Sequence, residues 1–256
     1  MSLGKVPVGK AIVTGASSGI GAAVAVELAR AGWQVGLVGR DAVRLAKVAQ
    51  DCGGNLQIAA IDMRDTDGFA RFVADFGAVD LYISNHGILD GRRDGEVVET
   101  GDVAGDVLAV NLTSAVAALH VVLPGMRARG KGQIALVSSL AGLSPLPDAP
   151  AYSASKAGLV MYGLSLREAL RGSGVGVSVC CPGYVATPMG GEHLGNRPHE
   201  ITAQDAARRI VKNALANKRL FGFPAPLWPM ALFSLLIPEA VLRMFNGDLR
   251  FTVSKR

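Results

Sequence analysis

Along almost the whole chain, short runs of valine, isoleucine and leucine alternate with helix-length amphipathic stretches. No other feature narrows the fold as much. The strand candidates are 10–14, 33–38, 56–61, 80–84, 133–138, 175–181 and 219–223. The helix candidates are 19–31, 41–50, 66–76, 102–129, 151–172 and 203–216. Continuous apolar runs mark strands buried on both faces. Regular strand–helix alternation implies a parallel sheet with helices on both sides. The expected fold class is α/β, a doubly wound parallel sheet in strand order 3-2-1-4-5-6-7. Ligands of such sheets sit at the carboxyl ends of the strands, beside the switch between strands 1 and 4.

The 256 residues suit one such domain, and half of them are apolar, enough for a large core. No linker or internal repeat divides the chain. Residues 1–256 therefore read as a single dinucleotide-binding and catalytic domain, with 220–256 as an apolar C-terminal extension. Cys52, Cys180 and Cys181 form no C-x-x-C pair and read as buried thiols of a reducing compartment. The four histidines, His86, His120, His193 and His199, make no metal motif, so no metal is expected. The net charge of +5 comes from small, scattered basic groups without interleaved aromatics. That pattern reads as solvated surface, not a nucleic-acid interface. No apolar signal segment opens the chain, and a cytoplasmic location is expected.

The segment Thr14-Gly15-Ala16-Ser17-Ser18-Gly19-Ile20-Gly21 follows the apolar run Ala11-Ile12-Val13 and precedes a periodic stretch from Ala22 to Ala31. That is strand, glycine turn, helix. Glycines take positive φ and let a ligand approach the backbone. The free N–H groups and positive end of the helix then face a pyrophosphate. The spacing, G-x3-G-x-G, is one residue longer in its first gap than the common dinucleotide fingerprint.

Tyr152-Ser153-Ala154-Ser155-Lys156 places a phenol and an ammonium four residues apart, on one helix face. A nearby cation favours phenolate, and a phenol with a lowered pKa can exchange protons near neutral pH. Alone, such a pair is commonplace. Here it joins the glycine turn, Asp62 after the third strand, Asn85-His86-Gly87 after the fourth, Asn111, Ser139 thirteen residues before Tyr152, and Pro182-Gly183-Tyr184-Val185-Ala186-Thr187.

In that order and spacing, residues 8–217 resemble the short-chain dehydrogenase/reductase family. The resemblance implies a Rossmann-like fold and reversible hydride transfer between a nicotinamide and a carbonyl or secondary alcohol. It implies that Tyr152 exchanges the proton, and that Lys156 holds the nicotinamide ribose and lowers the Tyr152 pKa. Ser139 would orient the substrate oxygen, and Asn111 would hold a water linking Lys156 to solvent. Each has a plainer alternative: Asn111 could bond a helix kink, and Ser139 could cap the segment after strand five. The cofactor would be held by Gly15, Ser17, Ser18, Gly19, Ile20, Gly21, Asp62, Met63, Asn85, Gly87, Tyr152, Lys156, Pro182, Gly183, Val185 and Thr187. Asn85 suits tying strands together, and Thr187 suits capping a helix. His86 departs from the family pattern, which usually has a small residue there, most often Ala. A non-catalytic dinucleotide sensor is the competing class, but degenerate members lose the Tyr or the Lys, and both remain.

Cofactor choice turns on the end of strand two, Val35-Gly36-Leu37-Val38-Gly39-Arg40. NAD enzymes place a carboxylate there for the ribose 2′-hydroxyl. Gly39 and Arg40 instead suit a 2′-phosphate, which a guanidinium binds by charge-assisted bonds. NADP is favoured, with NAD-dependent alcohol oxidation as the alternative. The substrate pocket is expected from Leu140 to Asp148, Tyr184, and Met189 to Arg197, with His193 and Arg197 as polar contacts. That lining suits a lipophilic ketone, aldehyde or secondary alcohol.

Leu220 to Ile237 is eighteen residues without a charged side chain. Pro224, Pro226 and Pro229 argue against a membrane span, because each removes a backbone donor. A final strand and short helices at an oligomer interface, a patch resting on a membrane, and a cover over a greasy substrate all remain open. Peripheral membrane contact through 220–245 is thus a possible partner surface. Helices 102–129 and 151–172 carry small or apolar residues on more than one face, consistent with a homodimer or homotetramer.

Overall fold

The strands form where two faces of apolar side chains can be covered. Ala11 and Val13 of β1 (Lys10–Thr14) point to one side of the sheet and Ile12 to the other, all fully buried. The computed structural model describes residues 8–192 and 195–234. After β1 come β2 (Gln34–Gly39), β3 (Leu56–Ala60), β4 (Leu81–Ser84), β5 (Gly132–Val137), β6 (Val175–Pro182) and, late in the chain, β9 (Leu220–Phe223). They pair in parallel in the order β3-β2-β1-β4-β5-β6-β9. The expected order thus holds with β9 in the seventh place.

Helices cover both faces. One carries α1 (Gly19–Arg30), α2 (Ala42–Cys52) and α8 (Ala203–Leu215), packed on Val13, Leu37 and Ile83. The other carries α3 (Thr66–Phe76), α5 (Ser114–Ala128) and α6 (Pro150–Ala169), packed on Ile12, Tyr82 and Ile134. Gly101–Ala128 is long and apolar enough to cross a membrane by length and composition. Its buried Ala115, Leu119, Val122 and Met126 pack on the sheet here. All three cysteines are buried and unpaired.

The structure departs from the expected elements in three places. The single helix expected over 102–129 is α4 (Gly101–Leu108), a π-helical turn Ala109–Thr113, and α5. The Ser114 N–H reaches the Ala109 carbonyl, five residues back, so one residue is accommodated as a bulge. Two strands were missed: β7 (Val185–Ala186) and β8 (Ile201–Thr202), which pair with each other apart from the main sheet. Two residues carry no period to read. The helix expected at 151–172 begins at Pro150, whose fixed φ suits a first turn, and ends at Ala169. Beyond these, α7 (Pro188–Glu192) and α9 (Leu227–Phe233) flank the carboxyl edge. Expectations for His193 and for residues 235–256 lie outside the described residues.

Candidate active site

A cavity of about 860 Å³ opens at the carboxyl ends of β1, β4, β5 and β6, at the switch between β1 and β4. Its floor is the glycine turn. Gly15 and Gly19 have φ of +66° and +56°, where a side chain would be strained. A Cβ on Gly21 would lie 2.2 Å from the Gly15 carbonyl oxygen, so the third glycine lets the helix start press onto the turn. Gly21 thus shapes the turn from behind and does not line the cavity, whereas Gly15, Ser17, Ser18, Gly19 and Ile20 do. Ser18, the N-cap of α1, makes no side-chain cap bond, and the first turn holds no acid. Those free donors suit an anion, and a dinucleotide pyrophosphate fits them.

Asn85 ties β4 to the turn, donating to the Thr14 and Gly15 carbonyls at 3.2 and 3.4 Å. Gly87 is small for a reason: a Cβ there would sit 3.0 Å from Asn111 Oδ1 and 3.5 Å from Lys156 Nζ. Asp62 and Met63 line the far end. Arg64 grips the Asp62 carboxylate through Nε and Nη2, which draws its pKa down to about 2. Arg40 lies exposed at the same end beside Gly39 and makes no hydrogen bond or ion pair with the described residues. Arg44, which the sequence reading missed, lines the cavity next to it and pairs with Asp41 at 2.6 Å. Only its one-turn offset on α2 could have flagged it. Pro182, Gly183, Val185 and Thr187 line the opposite wall. Thr187 caps α7, accepting from Gly190 N at 2.9 Å.

The catalytic side chains meet because β5 and α6 approach closely. A Cβ on Gly142 would lie 2.7 Å from the Lys156 carbonyl, and Ser138 Oγ donates to that carbonyl at 2.8 Å. Ser139 opens the short turn Leu140–Gly142, accepting from Ala141 N at 3.1 Å. Its hydroxyl lies where it favours the ionised form of Tyr152. Glu99, also missed, receives the Ala151 N–H at 2.7 Å and so steadies the start of α6.

One expectation about this group changes. The Tyr152 pKa is raised, not lowered: burial penalises the phenolate more than the Ser139 hydroxyl favours it. Lys156 is itself desolvated, which brings its pKa down to about 8, and its Nζ donates to the Val137 carbonyl at 3.1 Å, 5.7 Å from the Tyr152 ring centre. Asn111 does not line the cavity. Its Oδ1 accepts from Ile88 N at 2.7 Å, and its Nδ2 donates to Ile88 O at 2.9 Å and Ser155 Oγ at 3.2 Å. With both donors engaged, the side chain locks the loop after β4 to α6.

At the other end of the cavity, the lining includes Leu89, Leu140, Leu146, Tyr184 and Met189. Asp148, expected here, is fully buried and paired with Arg92 at 2.8 Å. Arg197 is absent from the lining and pairs with Glu200 at 2.8 Å. Leu227, Met230, Ala231 and Ser234 close this end, so of the arrangements open for the apolar tail the described part is a cover over the pocket. Ser234 Oγ donates to Leu143 O at 2.7 Å, tying the end of α9 to the turn after β5.

The short chain dehydrogenase family matches residues 9–197. This chain belongs to the short-chain dehydrogenase/reductase family. An oxidoreductase of Myxococcus xanthus is 34% identical over 229 residues, covering 87% of this chain and 88% of that one. An acetoacetyl-CoA reductase of Rhizobium meliloti is 36% identical over 186 residues, covering 70% and 75%. The fold superimposes on an L-sorbose reductase of Gluconobacter frateurii, solved with NADPH and L-sorbose, with a TM-score of 0.75, 24% identity, and 87% and 97% of the two chains covered. The short-chain dehydrogenase described here is therefore an NAD(P)-dependent oxidoreductase.

Proposed function

We propose that this short-chain dehydrogenase/reductase uses NADP(H) to reduce an apolar ketone, or to oxidise the matching secondary alcohol. The distribution of charge along the cavity carries this reading. Arg40, Asp41, Arg44 and Asp62 gather at one end, and among the described residues no charged side chain lines the end beyond Lys156. The names of the ketoacyl and acetoacetyl-CoA reductases among its relatives support a ketone as the reducible group.

Bound NADPH would supply the hydride to the carbonyl carbon. Tyr152 gives its phenolic proton to the carbonyl oxygen, and its raised pKa keeps that proton in place at neutral pH. Ser139 donates a hydrogen bond to the same oxygen. Lys156 holds the ribose hydroxyls. The proton lost from Tyr152 returns from solvent.

Arg40 and Arg44 flank the place where NAD enzymes put a carboxylate. Asp41 lies nearby, but its Oδ1 caps α2 through Arg44 N and its Oδ2 binds Arg44 Nε. Arg40→Asp is expected to weaken NADPH binding by about 10- to 100-fold and leave NADH binding within threefold, since a charged hydrogen bond is worth about 1.5–3 kcal/mol. Fluorescence titration with both cofactors checks this. Equal losses for both would mean that Arg40 supports structure, not the 2′-phosphate.

Ala231 is buried at the α9 wall. Enlarging it to Leu should lower kcat/KM for long-chain ketones by about tenfold or more and spare small ones, as hydrophobic pockets discriminate on that scale. A rate comparison across a ketone series decides it. A uniform effect at all chain lengths would remove α9 from substrate selection.

A further inference from the structure

We infer that His86, the one departure from the family pattern in the loop after β4, is a positioning residue that couples the glycine turn to the π-helical turn behind the catalytic helix. Its ring lies between two hydroxyls. Thr14 Oγ1 is 2.8 Å from Nδ1, and Ser114 Oγ is 3.0 Å from Nε2. Thr14 is the last residue of β1 and directly precedes Gly15. Ser114 directly follows the π-helical turn.

The proton on the ring is assigned by the neighbours. Ser114 has one hydroxyl proton and gives it to the Val110 carbonyl at 2.7 Å, an oxygen that can only accept. Ser114 therefore accepts from His86, which places the ring proton on Nε2. Nδ1 is then the acceptor and, at 2.8 Å, receives the Thr14 hydroxyl proton in preference to the Ile83 carbonyl at 3.3 Å. Thr14 in turn accepts from Asn85 N at 3.0 Å and His86 N at 3.3 Å. The chain of bonds has a single direction, from the glycine turn to the helix. Burial, and then the Lys156 ammonium, hold the ring pKa down to about 3, so the neutral form persists throughout the working range.

The π-turn explains why a link is useful at this place. Because the Ser114 N–H reaches Ala109 O, the Val110 carbonyl is met by the Ser114 hydroxyl instead. His86 holds that hydroxyl in place. Two residues on, Ile88 takes both ends of the Asn111 amide, which also bonds Ser155, between Tyr152 and Lys156. The loop 86–88 is thus stitched twice to the turn 109–114. One stitch continues to the cofactor floor and the other to the catalytic helix. Alanine at 86 leaves the first unmade.

The two ring nitrogens can be replaced one at a time. The Asn amide reaches roughly where Nδ1 lies and the Gln amide roughly where Nε2 lies. His86→Asn should keep the Thr14 link and lose the Ser114 link; His86→Gln should do the reverse. With Asn, amide hydrogen exchange in 109–114 should speed up by about 10-fold, while NADPH and NADH dissociation constants stay within threefold. With Gln, exchange should stay near wild type, and cofactor affinity should fall by about 10-fold, the scale of an unmet buried hydrogen bond. His86→Ala should show both changes. Ser114→Ala, an independent cut of the same link, should match Asn. Long-range ¹H–¹⁵N correlation of the wild-type histidines should show His86 with its proton on Nε2 and no titration between pH 5.5 and 8. An Nδ1–H tautomer, or Asn and Gln shifting both readouts alike, would overturn the inference. The wild-type spectrum and Ser114→Ala decide the matter even if the alanine variant at 86 does not fold.

Discussion

Tyr152→Phe is expected to cut turnover by about 10²–10⁴-fold, the usual loss when one positioned acid is removed. Cofactor affinity and fold should persist, because one oxygen is deleted and the ring remains. The phenol opens onto the cavity beside Ser139, yet enough protein surrounds it to raise its pKa. The direction of that shift sets the pH dependence. A phenol that stays protonated serves reduction at neutral pH, where its proton is given away. Oxidation of the alcohol needs the phenolate, so its rate should climb as pH rises through the alkaline range. Steady-state rates in both directions, with cofactor titration of the variant, check these outcomes. A variant within threefold of wild type would remove Tyr152 from the chemistry.

Lys156→Met is expected to abolish useful turnover and, at the same time, to stabilise the cofactor-free protein. The ammonium is buried and its pKa is depressed from 10.5 to about 8. The unfolded chain therefore holds this proton more tightly than the folded one. Below about pH 8 the folded state carries the full penalty of a desolvated charge; as pH rises from 8 towards 10.5 the penalty is relieved and wild-type stability increases on this account. Methionine fills a similar volume without charge. At pH 7 the gain should be about 2 kcal/mol once the lost bond to the Val137 carbonyl is set against it. The rate should fall by at least about 10²-fold, as for a lost electrostatic group. Thermal unfolding without cofactor gives the first number and turnover the second. A lower melting temperature would mean that the ammonium is better solvated or better paired than its burial implies. The pairing of gain and loss is the signature of a charge held in place for function.

The parallel order of the sheet was legible in the chain because buried strands between amphipathic helices allow few other arrangements. Gly15, Gly19 and Gly21 could be read in advance because only glycine meets their backbone demands, and Tyr152 and Lys156 because a helix puts residues four apart on one face. What remained hidden depended on residues far apart in the chain. Arg44 reaches the cavity by its place on α2, and the choice of a cover among the roles open for the tail is made because β9 ends beside β6. The direction of the Tyr152 shift is a matter of how much protein surrounds the phenol against what Ser139 offers it, and no spacing records the balance. Asn111 offered a polar residue in an apolar helix, but only the packed π-turn decides that both its donors are engaged. His86 stood out by sequence as an exception. Its meaning comes from Thr14 and Ser114, seventy-two residues before it and twenty-eight after it, which meet its ring only when β1, β4 and α5 are folded together. Local periodicity and backbone chemistry act within a few residues and can be read directly; desolvation, proton placement and cavity closure are set by neighbours that the chain brings together only on folding.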